Sequence, residues 1–413
     1  MKINGLFLLI CIIFSSCQDK EKDKEVAVIF LNPDHAGTLK TSDYFDGYRV
    51  LTFNDVICNE IADFVEFPDK FLALAEVRHG LSTTVTMYSF NLQGDLLYSV
   101  GSLGRGPGEY GSAGNEIILN RDSTVMIFDL SKYLKYTAEN ELLHEQLYSQ
   151  GINKSGDLGK PVYLWNDSVM IFFKDLHFYG ATSTINKGLK KSIEGADILN
   201  IYSIPGEKVV HSYFPCEDVF GYSFHNQFYV FQDTMCFYHE KNGYVYRVSD
   251  DHTVPRYKID KGDYSAETTM EEWMDSHGKS RGIAMESINE TDKYVVGIYS
   301  FNSRNYYFWF DKKKNETKNF KLIDDDLLRV GIKKSEFSPS LYFTRWHNKI
   351  QFPNDYLYFF YTPTRYAKMI EHIKSQLSEK EWEKYKEEHA DLIKIYDGLN
   401  DDSNTVILGL KFK

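Results

Sequence analysis

Short apolar runs of strand length recur along most of this chain, punctuated by turn residues and with almost no helical stretch between them. Alternation of apolar and polar residues at period two, bounded by Gly, Asn, Asp and Ser, is the signature of a half-buried β-strand. The runs fall into six sets. The first is Ile61–Phe67, Phe71–Val77, Val85–Phe90 and Leu96–Val100. The second runs from Glu116 through Phe128, Leu134–Tyr136 and Leu142–Leu147, and the third takes Val162–Leu164, Val169–Phe173, Ile198–Tyr202 and Val209–Tyr213. The fourth is Gln227–Phe231, Met235–Tyr238, Tyr244–Val248 and Arg256–Ile259. The fifth is Gly282–Ile288, Tyr294–Tyr299, Tyr306–Phe310 and Phe320–Leu322, and the last holds Lys349–Phe352, Tyr356–Tyr361 and Val406–Phe412. A lone four-stranded sheet cannot bury both faces, whereas six arranged radially cover one another and leave only short edges. The pattern therefore predicts an all-β fold, a six-bladed β-propeller forming a single domain over residues 31–413. Arg49–Phe53 is expected as an early strand that closes the ring. The 30 Tyr and 29 Phe suit this reading, because aromatic rings cover neighbouring pleats.

One stretch breaks the pattern. Residues 364–396 are rich in helix formers, and Ser378-Glu-Lys-Glu381 spells a capping box. A short insertion of one or two helices is expected inside the last blade, with its charged residues on a solvated face.

Between the first two sets lies Gly101-Ser-Leu-Gly-Arg-Gly-Pro-Gly-Glu-Tyr110. A phosphate-binding loop would end in Lys-Ser/Thr and open a helix. Here Glu109 and Tyr110 follow, then a strand, so the segment reads as a blade-to-blade crossing in which glycines supply unusual backbone angles. Arg105 and Glu109 are placed to pair or to hold backbone groups around the turn.

The amino terminus has a different character. Lys2 precedes Leu6–Phe14, an apolar run too short to span a bilayer, and Ser15-Ser16 precede Cys17. Residues 1–16 read as a lipoprotein signal peptide, with Cys17 as the lipidated residue. Residues 17–30, opening with the charged run Gln18–Glu25, read as a disordered tether. The net charge of −12 and the lack of a basic stripe exclude nucleic acid as a partner. The expected attachment is to the membrane through lipid chains on Cys17.

Taken with that start, the chain resembles the six-bladed β-propeller lipoproteins of Bacteroidota, with NHL-like or TolB-like repeats. The resemblance is carried by Gly104-Arg-Gly-Pro-Gly-Glu-Tyr110, by Gln93-Gly94, and by Asn400-Asp-Asp-Ser-Asn404 ahead of the strand Thr405–Phe412. Thr405 stands where the family usually has proline, and the glycine-rich crossing recurs in none of the other five sets. The resemblance implies an outer-membrane lipoprotein facing the periplasm or the cell surface. It implies no particular activity.

Chemistry must come from a site. No HxH or HExxH spacing is present, and Cys58, Cys216 and Cys236 include no CxxC, so no metal or other cofactor is expected. Cys216 and Cys236 are left as a pair that an oxidising compartment could bridge. Gly278-Lys-Ser-Arg-Gly282 has the letters of a nucleophile elbow but lacks the strand-to-helix context. Asp324–Asp326 and Lys312–Lys314 read as solvated turns. The candidates for a channel or ligand contact are Arg105, His225, Arg304, Arg345, Trp346 and His347, the later ones near blade ends. The function expected is a binding or scaffolding module for a protein, peptide or glycan. The alternative is a propeller enzyme, a lyase or hydrolase, with an axial metal or a His/Asp/Tyr site.

Overall fold

Three strands open the chain before any blade is complete: β1 (Ala27–Phe30), β2 (Gly37–Lys40) and β3 (Phe45–Thr52). In this computed structural model the described residues are 26–413, apart from 57, 59, 80–81, 112–115, 120–123, 130–131, 148–159, 167, 174–196, 216–227, 233, 241, 265–281, 303, 330–355 and 401–402. Blade 1 is the antiparallel sheet β4 (Glu60–Glu66), β5 (Lys70–His79), β6 (Ser82–Asn91) and β7 (Leu96–Val100). The two-residue strands β8 (Ser102–Leu103) and β9 (Glu109–Tyr110) pair within the crossing that follows. Blade 2 is β10 (Glu116–Leu119), β11 (Thr124–Phe128), β12 (Lys132–Thr137) and β13 (Leu142–Leu147). Blade 3 is β14 (Lys160–Asn166), β15 (Val169–Phe173), β16 (Asp197–Ser203) and β17 (Lys208–Pro215).

Blade 4 comprises β18 (Phe228–Phe231), β19 (Thr234–His239), β20 (Tyr244–Val248) and β21 (Thr253–Asp260), with β1 added outside β21. Blade 5 comprises β22 (Ala284–Glu290), β23 (Tyr294–Phe301), β24 (Arg304–Asp311) and β25 (Glu316–Asp324), with β2 added outside β25. Blade 6 holds β26 (Tyr356–Tyr361) and β27 (Val406–Phe412), with β3 as its outer strand. The six-bladed propeller read from the alternation is the fold observed.

Six separate clusters of buried apolar side chains hold the described residues together, one at each blade-to-blade interface. Leu72, Leu74 and Met87 of blade 1 meet Val125, Ile127 and Leu134 of blade 2. Met126 and Phe128 meet Met170 and Phe172 between blades 2 and 3, and Ile171 and Ile201 meet Met235 and Phe237 between blades 3 and 4. Ile29, Tyr238 and Val245 face Val295 and Phe308 between blades 4 and 5. Trp309 and Phe320 face Leu357 and Leu408 between blades 5 and 6. Phe64, Phe71 and Phe90 meet Tyr358 and Ile407, which joins blade 6 to blade 1 and closes the circle. Each strand with both faces buried, such as Thr124–Phe128, feeds one cluster from each face.

The closing strand is longer than Arg49–Phe53 and lies wholly upstream of Phe53. Gly47 to Thr52 pair with Lys411 to Val406 in antiparallel register. The first strand corrects the expected tether. Ala27 to Phe30 pair in parallel with Tyr257 to Asp260, so the fold begins inside residues 17–30. Ile29 is fully buried at the blade 4–5 interface, and β21 supplies the backbone partners that four isolated residues lack.

The insertion in blade 6 forms three helices instead of one or two: Pro363–Gln376, Glu379–Glu388 and Ala390–Asp397. The first buries Tyr366, Met369, Ile370 and Ile373, the spacing of one helical face. The Ser378–Glu381 capping box is formed as read.

The glycine-rich segment crosses from the outer strand of blade 1 towards the inner strand of blade 2. Gly101 and Gly108 have φ of +70° and +68°. Glu109 Oε2 accepts the Gly106 N–H at 2.7 Å, and Glu145 of blade 2 accepts the Gly108 N–H at 2.8 Å. Lys132 Nζ then donates to Gly106 O at 3.0 Å and pairs with Glu145 at 2.7 Å. Blade 2 thus grips its own entry loop.

Candidate functional site

A groove of about 830 Å³ opens between the end of the closing strand β3 and the third inserted helix. Residues 50–56 form one wall; Asp391, Lys394, Ile395 and the helix end at 398–400 form the other; Gln93, Ser403 and Asn404 complete it. Two of the three motifs that carried the family resemblance meet here, although about 300 residues separate them.

Local chemistry explains the meeting. Gly94 sits in the turn between β6 and β7 with φ +89°, and a Cβ there would fall 2.0 Å from Thr52 O. Only glycine lets that turn touch the end of β3. The contact is fixed by Asn54 N–H donating to Gly94 O at 2.8 Å and by Asn54 Nδ2 donating to Asp95 at 2.8 Å. Asp95 also accepts from Asn91 Nδ2 at 2.9 Å, and these amide bonds hold its carboxyl below the usual range. Across the groove floor, buried Asn404 donates from Nδ2 to Phe53 O at 2.7 Å and to Val56 O. Its Oδ1 accepts the Cys58 N–H at 2.6 Å. One side chain ahead of β27 thereby shapes the loop after β3.

The far wall is anchored by a polar contact between helix and sheet. The Tyr48 hydroxyl donates to Asp391 Oδ1 at 2.9 Å and lies 2.9 Å from His389 Nδ1. Because the tyrosine proton is used on Asp391, Nδ1 of His389 carries the proton of that second bond. The His389 ring packs against those of Tyr385 and Tyr48, with centroids 4.2 and 5.4 Å away and each pair tilted by 40°. Burial holds its imidazole below its ordinary pKa despite Asp391. The groove thus offers two carboxylates, Asp55 and Asp391, an ammonium and several amide and hydroxyl groups beside a strip of Val50, Ile395 and Leu399. Such a surface can hold an extended ligand by hydrogen bonds and apolar contact.

The candidates named from sequence lie elsewhere. Arg105 is exposed on the crossing between blades 1 and 2, with no hydrogen bond or ion pair among the described residues, and Glu109 alone turns back onto the loop. Arg304 is exposed at the first position of β24, paired across the turn with Phe301. His225, Arg345, Trp346, His347 and Cys17 lie outside the described residues, as does Ser280. Cys236 is a buried free thiol pushed up to about 12, chiefly by burial, and Cys216 lies outside the described residues. Among the described residues no group of three or more His, Cys, Asp or Glu could hold a metal ion.

In each of two stretches expected as solvated turns, one residue is drawn inward. Asp325 is 3% exposed; its Oδ1 accepts from Thr41 Oγ1 at 2.9 Å and from Leu328 N–H at 3.1 Å. Asp326 accepts the Ser42 N–H at 2.9 Å. Together they fasten the bend between β2 and β3. Lys312 is likewise no free turn residue, since it reaches the buried Glu290 at 2.8 Å. The sequence hid these roles because the partners lie on distant segments.

Comparison with solved structures agrees with the fold. A Bacteroides fragilis protein described as a "putative exported protein" is similar over 94% of this chain and 99% of its own, at 14% identity and a TM-score of 0.61. A member of the duf4221 family from Bacteroides vulgatus is more distant, at 10% identity over 67% of this chain and 86% of its own, with a TM-score of 0.42. The β-propeller domain of the Trilobed protease from Pyrococcus furiosus matches at 12% identity over 63% of this chain and 69% of its own, with a TM-score of 0.33. No curated protein matches the sequence. A family model described as a domain of unknown function (DUF4934) matches residues 26–411, and the chain belongs to that family.

Proposed function

We propose that this protein is a lipid-anchored binding module of the bacterial envelope, holding a protein, peptide or glycan ligand in the groove between β3 and the third inserted helix. The observation that carries the reading is the convergence of Gln93-Gly94 and Asn400–Asn404 on that groove. A glycine forced by backbone contact and an asparagine saturated with backbone bonds make it a preformed recess, which lowers the ordering cost of binding. The exported description of the B. fragilis protein and the lipoprotein-like start of this chain support the envelope placement. Several acyl chains on Cys17 give stable attachment.

The test compares the wild-type chain with Lys394→Glu and Ile395→Arg variants, cross-linked in native membranes and also applied to a glycan array. Both substitutions sit on the groove wall, clear of the Asn404 and Gly94 contacts. Loss of the same captured species in both variants is the expected result; an unchanged set would remove the groove from the function. A Cys17→Ala variant should leave the membrane fraction, and unchanged fractionation would remove the anchor.

A further inference from the structure

The amino-terminal segment covers the outer edges of blades 4 and 5 and then becomes the outer strand of blade 6. β1 pairs in parallel outside β21, β2 pairs in parallel outside β25, and β3 is itself the outer strand of blade 6. Among the described residues nothing pairs outside β3, which carries Asp46 and Arg49, or outside β7, β13 and β17, the outer strands of blades 1, 2 and 3.

Those three edges share a second property. Each presents two adjacent large apolar side chains to solvent: Leu97 and Tyr98, Leu142 and Leu143, Val209 and Val210, each between 36% and 47% exposed. Leu147 at the end of β13 is 69% exposed. Neighbouring residues of a strand point to opposite faces, so these edges are apolar on both sides. An unpaired edge is normally guarded by lysine, proline or inward charge. Here Pro255 and Lys258 lie within β21, and Lys318 and Lys321 within β25, the two edges already covered, whereas β17 carries Lys208 and Pro215 only at its two ends and β13 a single charge, Glu145, that is drawn to Lys132 and the Gly108 N–H. β7 carries no charged residue at all.

We propose that the outer edges of blades 1 to 3 are docking edges for an extended, uncharged segment of a partner protein. The segment adds in parallel to the outer strand, as Ala27–Phe30 adds to blade 4. The chain's own belt supplies the template. It starts on blade 4, so an added strand on β17 of blade 3 continues the same belt around the ring. Main-chain bonds give such a strand its affinity, and the paired apolar side chains on either face give it register. This surface is separate from the groove and does not depend on it.

The test uses a fluorescein-labelled peptide with this chain's own sequence Val26–Asn32, carrying terminal lysines for solubility, titrated into the chain lacking residues 1–16 and followed by anisotropy. Saturable binding that weakens about tenfold or more in Leu143→Lys and Val210→Lys variants is expected, together with no binding of an Ile29→Pro peptide, which lacks a ladder N–H. Both variants change exposed positions, and matching melting curves will show that they fold. Lys394→Glu in the groove should leave this binding unchanged. Failure to saturate would overturn the proposal. So would binding that survives in both edge variants, which marks replacement of the protein's own β1. A dimer that light scattering detects and Leu143→Lys dissociates would overturn it in favour of a second copy of this chain.

Discussion

Arg49 on the outer strand of blade 6 is paired with Glu66, the last residue of the inner strand of blade 1, and Arg256 with Glu290 repeats that relationship between blades 4 and 5. In both, a glutamate closing an inner strand is buried, and the preceding blade's outer strand brings the arginine. Tyrosine hydroxyls complete each site: Tyr358 donates to Glu66, while Tyr229 and Tyr257 donate to Glu290 at 3.0 and 2.8 Å. Rings also flank the arginines, with Arg49 lying 4.0 Å from the Tyr356 centroid and Arg256 5.2 Å from that of Phe231. Buried pairs add little net stability but punish any unpairing. They suit blade interfaces, where a displaced blade would leave a charge without its partner.

Glu290 should therefore be the costliest of these residues to remove. Its side chain is fully buried and accepts from Arg256 Nε at 2.9 Å and from Lys312 at 2.8 Å. Burial alone would raise its carboxyl pKa, but Arg256 and Lys312 outweigh that and hold it below the usual range. A group with a lowered folded pKa stabilises above its unfolded pKa and loses that contribution as pH falls through the folded value. Glu290→Gln should cost roughly 3–5 kcal/mol at neutral pH by urea denaturation, and less in acid. An equal loss at pH 7 and pH 3 would contradict the assignment.

The seam makes a parallel prediction. Arg49→Met strands the buried Glu66, and should cost roughly 2–4 kcal/mol, reduced by the partial exposure of the arginine. The Arg49→Met/Glu66→Gln double variant should lose less than the two single losses combined, with a coupling of about 1–3 kcal/mol. Hydrogen exchange should accelerate first in β3, β4 and β27. Exchange that accelerates first in blades 3 and 4 would show that the seam lies elsewhere.

Asp325 carries the opposite sign. Burial raises its carboxyl to about 6 from 3.8, against the Leu328 and Thr41 bonds that lower it. Among the described residues its Oδ2 has no hydrogen-bond partner. A raised carboxyl pKa penalises the folded state above that value and ceases to do so as pH falls towards the unfolded one. Asp325→Asn keeps the acceptor that Thr41 and Leu328 use and removes the buried charge. It should raise stability by about 1–3 kcal/mol above pH 6, with the gain shrinking towards pH 4. A loss at pH 7 by thermal denaturation would mean that the charge has a partner in solution.

These pairs mark the limit of what the sequence shows. Strands were legible because a short apolar run of β-branched and aromatic residues between turn residues is a local signal: Thr124–Phe128 or Tyr306–Phe310 needs no partner to be read. The Ser378–Glu381 capping box was legible for the same reason. β1 and β2 were not, because four residues acquire strand geometry only from an edge more than 200 positions away. Glu66 and Glu290 look like ordinary strand-end carboxylates until folding brings up arginines 17 and 34 positions upstream. Gln93-Gly94 and Asn400–Asn404 were visible as motifs, but their meeting was not. Lys312 and Asp325 misled because charge runs usually face water, and here one residue of each run turns inward.

Gly94 tests the groove itself. Its φ of +89° lies in the left-handed region, and its Cα approaches the Thr52 carbonyl so closely that a Cβ would sit 2.0 Å from that oxygen. The obstacle is backbone, so no side chain can swing aside. Gly94→Ala must either twist the β6–β7 turn or push back the end of β3, and either movement breaks the Asn54 N–H to Gly94 O bond. The loss should exceed about 1 kcal/mol, and amides 52–56 should exchange faster while those of blades 3 and 4 keep their protection. Ligand capture should fall with it, since Val50–Val56 form one wall of the groove. An alanine variant with wild-type melting and unchanged exchange at 52–56 would show that the turn and the strand do not touch in solution, and the preformed groove would go with them.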